Sequence, residues 1–228
     1  MKLYFLVEGI SSEMQVYPEW IKYHLPTLTH HIKLDDFKAS ESGIYFFSGE
    51  GYPSILNHVE NAMRDIVSDG SVDYFFIILD SDEDPIESRK AEVQECLDKL
   101  TETPDRLHVT IVVQQRCFET VLLGNRNALP RQPNSEPLIS YYRYYKALDD
   151  DPQLMGHYNE DYTHSQFHAA YAMKALRQRG LRYTKSNCSP VADPKYFEKV
   201  CERVKNRRDL ECLIPFIETL EEIAEKLN

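Results

Sequence analysis

The chain predicts an α/β fold: a four-stranded parallel sheet flanked by helices, with a mainly helical C-terminal extension. Three observations predict it. Four short runs rich in aliphatic and aromatic residues recur at 2–7, 44–47, 74–79 and 107–113. Helical periodicities separate them, which is the pattern of βαβ units. After about residue 123 that alternation stops and helical patterns follow one another. The reading divides the chain into 1–123, an α/β domain, and 124–228, a helical region packed on it.

The first run ends at Glu8-Gly9, where the backbone turns. Ser11 or Ser12 is placed to cap the next helix, with Glu13 in its first turn. Met14, Tyr17, Trp20, Ile21 and His24 recur at helical spacing until Pro26. Residues 26–43 are polar and read as a loop with a short extra element. The second strand, 44–47, leads into Ser48-Gly-Glu-Gly-Tyr-Pro53. Ile55, Leu56, Val59, Ala62, Met63, Ile66 and Val67 then form one apolar helical face, stopped at Asp69-Gly70.

The third strand is the pivot. Tyr74-Phe-Phe-Ile-Ile-Leu79 has the composition of a strand buried on both faces. It opens into Asp80-Ser-Asp-Glu-Asp84. An amphipathic helix over 86–100 follows, then the fourth strand, 107–113. A short helix within 114–125 carries Glu119 in its first turn. Further helices are predicted over 138–148, 163–178, 194–204 and 210–227.

Composition bounds the function. The net charge is −11, and no apolar run approaches the ~20 residues a membrane span requires. The opening apolar run is too short for a signal peptide. Five cysteines without a CxxC pair point to reduced thiols and a cytoplasmic setting. Neither a Walker A sequence nor GxGxxG is present, which argues against a P-loop ATPase or a dinucleotide-binding dehydrogenase. Residues 1–115 hold 9 Lys/Arg against 21 Asp/Glu, whereas 116–208 hold 16 against 10. An acidic front half thus meets a basic, tyrosine-rich back half.

In a parallel α/β sheet all strand ends share one edge, and ligands bind there. Glu8 and the Asp80/Asp82 pair therefore converge if the first and third strands are neighbours. Carboxylate oxygens gathered in this way suit Mg²⁺ or Mn²⁺ better than Zn²⁺.

Val7-Glu8-Gly9 after the first strand and Leu79-Asp-Ser-Asp82 after the third resemble the Toprim domain, found in topoisomerases, bacterial primases and OLD-type nucleases. The resemblance implies a Rossmann-like parallel sheet, with Glu8, Asp80 and Asp82 acting with Mg²⁺. Within the nuclease branch, Val-Glu-Gly-Ile-Ser-Ser-Glu13 resembles the first motif and supplies Glu13 as a second acid. Arg116-Cys-Phe-Glu119-Thr-Val-Leu-Leu123 and Tyr183-Thr-Lys185 resemble segments of RloB-like proteins, which are encoded in bacterial defence loci. Ser12 stands where many members carry Asp.

What the resemblance implies is a nuclease acting on DNA or RNA in anti-phage defence, beside a separate ATPase encoded nearby. Glu8, Glu13, Asp80, Asp82 and Glu119 would be metal ligands. Glu8, Asp80, Asp82, Glu119 and Lys185 would carry the chemistry, Lys185 by neutralising developing charge. Lys174, Arg177, Arg179, Arg182 and Lys185 fall in a stretch without an acid and, with Arg116, are expected to face phosphates. Tyr141–Tyr145 could stack bases or pack the helical half, and packing is the favoured reading. His164 and His168 have zinc-ligand spacing but no third ligand, so a polar helix face is expected. Two rivals stand beside the nuclease: a non-catalytic regulatory or binding subunit, and another phosphoryl-transfer enzyme.

Overall fold

The structure, a computed structural model, describes residues 1–227; Asn228, the last residue of the expected helical region, lies outside them. Five strands form one parallel sheet: β1 (Lys2–Val7), β2 (His30–His31), β3 (Gly43–Ser48), β4 (Tyr74–Asp80) and β5 (His108–Gln114), in the order β2-β3-β1-β4-β5. The α/β class, the parallel sheet and the helical C-terminal region are as predicted. The strand count is corrected from four to five. The added strand is two residues long and pairs His30 and His31 with Ile44 and Tyr45 at the sheet edge. Backbone bonding makes it a strand, and no apolar run signals it.

The helices are α1 (Ser12–His24), α2 (Leu34–Ala39), α3 (Ser54–Asp69), α4 (Ile86–Asp98), α5 (Phe118–Leu122), α6 (Leu138–Tyr144), α7 (His164–Gln178), α8 (Pro194–Arg207) and α9 (Ile214–Leu227). Alternate strand residues point to opposite faces, and two cores result. Leu3, Phe5, Val7, Phe76 and Ile78 pack with Trp20 of α1, Phe197 of α8 and Phe216 of α9. Tyr4, Leu6, Phe75, Ile77 and Leu79 pack with Phe37 of α2, with Ile55, Val59 and Ile66 of α3, and with Val93 of α4. The C-terminal helices α8 and α9 thus complete one face of the sheet, whereas α6 and α7 share a third, smaller core. Gly70 ends α3 in the left-handed conformation at φ 68°, which glycine adopts without a Cβ penalty.

Tyr141 and Tyr142 are buried and stack on Tyr171. These two pack the helical half, as favoured, whereas Tyr144 of the same run is 41% exposed. His168 corrects the expectation of a polar face: it is fully buried, with Nδ1 2.9 Å from Thr120 Oγ1 and Nε2 2.7 Å from the Met155 carbonyl. His164 reaches the same carbonyl. Among the described residues, no helix is long and apolar enough to cross a membrane. All five cysteines are free thiols.

Candidate functional site

β1 and β4 are hydrogen-bonded neighbours, with Val7 opposite Ile78. The chain leaves both strands at the same edge, so Glu8 and Asp80 meet. The Asp80 N–H donates to Glu8 Oε2 at 2.9 Å. Asp80 also pairs in register with Gln114 at the end of β5. Gln114 Nε2 donates to Asp80 Oδ1 at 2.9 Å, and the Tyr17 hydroxyl donates to Gln114 Oε1 at 2.6 Å. This buried chain of donors fixes the Asp80 carboxylate from behind.

Glu8, Glu13, Glu50, Asp80, Glu119 and Lys185 line one cavity of about 500 Å³ at this edge. Glu13 folds back from the first turn of α1 so that its carboxylate lies against Gly9. A Cβ on Gly9 would collide with the Glu13 carboxylate, so a larger residue there would have to displace that side chain. Glu119 is buried in the first turn of α5 and accepts a hydrogen bond from the Tyr183 hydroxyl at 2.9 Å. Ser12 Oγ lies 3.1 Å from the same hydroxyl. Neither serine caps α1 through its side chain; Ser11 Oγ instead donates to the Lys185 carbonyl and holds that loop against the site.

The carboxylates crowd one another. Burial pushes Glu8 up to about 7; the Asp80 N–H opposes this, and the charges of Asp82 and Glu13 reinforce it. Burial, then Glu13, Glu8 and Glu119, hold Asp80 well above the usual carboxylate range. Glu13 is raised by burial and by Glu119. Lys185 is raised chiefly by the charge of Glu119, against the effect of its own burial. Fields of this kind mark groups that lack enough compensating charge.

Asp82 stands beside the cavity rather than lining it. It takes φ 48° and is held at both ends: its N–H donates to the Arg116 carbonyl and its carbonyl accepts from Arg116 Nη1 at 2.8 Å. Burial raises its carboxyl, with Arg89 the main opposing charge. The rest of the acidic run is divided. Glu83 accepts the N–H groups of His164 and Ser165 at the start of α7. Asp84 pairs with Arg89 at 2.7 Å, and that guanidinium lies 3.4 Å over the Tyr52 ring.

Of the residues predicted from sequence, the structure brings Glu8, Glu13, Asp80, Glu119 and Lys185 together, with Asp82 adjacent. It places Arg116 as the clasp of the Asp82 turn. Lys174, Arg177, Arg179 and Arg182 are exposed, and none of them lines the acidic cavity. Sequence reasoning missed Glu50, Gln114, Tyr17 and Arg89. Glu50 and Gln114 sit at strand ends beside the predicted acids, which is the signal that could have found them.

An all-carboxylate donor set fits a hard divalent cation such as Mg²⁺ or Mn²⁺. Among the described residues, however, no three His, Cys, Asp or Glu side chains are grouped closely enough to hold a metal as they stand. The carboxylates are engaged by protein donors instead.

No family model and no curated protein matches this sequence. Among solved structures, the C-terminal region of the Burkholderia pseudomallei OLD protein is similar, at 15% identity and a TM-score of 0.39. The match covers 90% of this chain and 97% of that one.

Proposed function

We propose that this protein is a divalent-metal-dependent nuclease that hydrolyses phosphodiester bonds in DNA or RNA. The observation that supports it is the gathering of Glu8, Glu13, Asp80 and Glu119 in one cavity with Lys185 as the facing cation. Glu8 and Asp80, with Glu13, Glu119 or the adjacent Asp82, would hold one or two Mg²⁺ or Mn²⁺ ions. Such ions supply Lewis acidity toward a phosphoryl oxygen and toward the attacking water. The chain's own residues do the rest. Tyr17 and Gln114 fix the orientation of Asp80, and Tyr183 fixes that of Glu119. Glu8, at the end of β1, is placed either to join that ligand set or to exchange a proton with the attacking water. Lys185 offsets negative charge that builds on the phosphoryl group. By the sequence resemblance, the proposal extends to anti-phage defence in the bacterial cytoplasm beside a separate ATPase.

A second reading, a non-catalytic regulatory or binding subunit, is favoured by one observation: Glu8, Asp80 and Glu119 are already satisfied by protein donors. Plasmid, single-stranded DNA, tRNA and free nucleotides, each incubated with Mg²⁺, with Mn²⁺ or with chelator, separate the two. The nuclease reading expects polynucleotide cleavage that chelator and Asp80→Ala both abolish. Turnover of nucleotides alone, with polynucleotides intact, rejects it. Absence of any calorimetric Mg²⁺ or Mn²⁺ binding favours the subunit.

A further inference from the structure

A larger cavity, of about 750 Å³, lies apart from the acidic one and shares no lining residue with it. Arg126, Arg131 and Arg179 line it, with Asn127, Leu129 and Asp149. Three guanidinium groups against one carboxylate is a local excess of positive charge in a chain of net −11. Two of the three are held in place by backbone carbonyls: Arg126 Nε donates to Leu148 at 2.7 Å, and Arg179 Nη2 to Asn127 at 3.3 Å. Arg126 Nη2 also faces the Asp149 carboxylate at 3.8 Å, which leaves Arg131, exposed, and Arg179 as the net excess of positive charge. Anchored, planar guanidinium forks match phosphate oxygens. No aromatic ring lines the cavity, so it has no aromatic platform for successive bases. That favours contact with the phosphate backbone over a nucleotide pocket.

Connectivity bounds its distance from the acids. Arg126 follows Glu119 by seven residues, and Arg179 precedes Tyr183, the partner of Glu119, by four. Extended chain spans at most about 3.5 Å per residue, so Arg126 lies within about 25 Å of Glu119 along the backbone and Arg179 within about 14 Å of Tyr183. One duplex strand places a phosphate every ~3.4 Å of axis, so a strand of about eight nucleotides is long enough for the larger of these separations.

We propose that Arg126, Arg131 and Arg179 form a phosphate seat for the polynucleotide backbone, separate from the acidic cavity and independent of metal. The proposal rests on the nuclease reading for its substrate class. It makes binding sequence-tolerant, because only phosphates are touched, and assigns bond cleavage to the other site.

Fluorescence anisotropy of labelled single-stranded DNA, duplex DNA and single-stranded RNA, in chelator and across a salt series, tests it. Wild-type protein and Asp80→Asn are expected to bind alike. Arg131→Glu and the double variant Arg131→Glu/Arg179→Glu are expected to bind progressively weaker, the double by about tenfold or more. Its log–log salt slope is expected to fall by roughly 1.5, about 0.7–0.9 per lost phosphate contact. Unchanged melting temperatures would show that the folds are intact. Arginine variants that bind like wild type would overturn the seat. So would full displacement of the strand by tripolyphosphate at equal phosphate concentration, which would mark a small-anion site. Strand binding that needs the arginines, without any cleavage that Asp80→Asn abolishes, would sink the nuclease reading and leave the seat standing.

Discussion

Tyr183 donates its hydroxyl hydrogen to Glu119 at 2.9 Å, joining two segments 64 residues apart in the chain. The same hydroxyl lies 3.1 Å from Ser12 Oγ at the start of α1. Three separate stretches of sequence thus meet on one buried oxygen, beside a cluster of carboxylates. A hydrogen bond to an ionised acceptor in a buried setting contributes about 1.5–3 kcal/mol. Here it also fixes where a candidate ligand points, so its loss should be felt in function as well as in folding.

Tyr183→Phe is therefore expected to fold, to melt roughly 3–12 °C below wild type, and to lose roughly 10–100-fold in metal affinity or cleavage rate, the range for groups that orient metal ligands. Calorimetric metal titration and a cleavage time course measure it. A variant with unaltered metal affinity and rate would show that Tyr183 merely fills space.

His168 makes stability depend on pH. Burial lowers its pKa from the ordinary value near 6.5 to about 3. The folded ring stays neutral while the unfolded chain takes up a proton below about 6.5, so unfolding is favoured as pH falls. The contribution is full above about 6.5 and declines by up to about 1.4 kcal/mol per pH unit toward pH 3. Urea unfolding from pH 7.5 to 4.5 should show this slope, reduced in His168→Gln. Equal slopes in the two proteins would contradict it.

Lys2 and Asp69 form an ion pair at 2.6 Å with both side chains 1% exposed. The Lys2 ammonium also donates to the Lys38 carbonyl. Removing one partner strands a buried charge, which costs about 3–5 kcal/mol. Lys2→Met should be destabilised by that order. Lys2→Met/Asp69→Leu should recover much of the loss, because no lone charge remains. A double variant no more stable than Lys2→Met would refute the argument.

What the sequence revealed depended on whether a signal was local. Strands β1, β3, β4 and β5 were legible because each carries its own apolar run, whereas His30 and His31 became β2 only through pairing with β3. Glu8, Asp80 and Glu119 were legible as acids following strands. Lys185 and Tyr183 sit in an irregular loop where periodicity carries no information, and only a short resemblance pointed to them. Gln114 was overlooked as a neutral residue, yet register places it opposite Asp80. His168 lies on the same α7 face as Phe167, Tyr171, Ala172 and Ala175. Attention to that spacing would have buried it.

The crowding of carboxylates makes a prediction whose sign is opposite for stability and for metal response. Asp80 is buried among Glu13, Glu8 and Glu119, all of which raise its pKa. Like charges held together destabilise the fold that assembles them, and sites that keep such strain tend to gain stability when it is removed. Asn in place of Asp80 preserves the oxygen that accepts from Gln114 Nε2 and deletes one charge. In chelator, Asp80→Asn should melt higher than wild type; about 1 kcal/mol corresponds to about 2–4 °C for a chain of this size. In Mg²⁺ or Mn²⁺ the order should reverse or close, because a ligand that binds only the folded state stabilises it and wild type alone would keep the full carboxylate set. Melting curves of both proteins with and without each metal read out both signs at once. A lower Asp80→Asn midpoint in chelator would remove the case for electrostatic strain, and an equal metal-induced rise in both proteins would remove the case for Asp80 as a ligand.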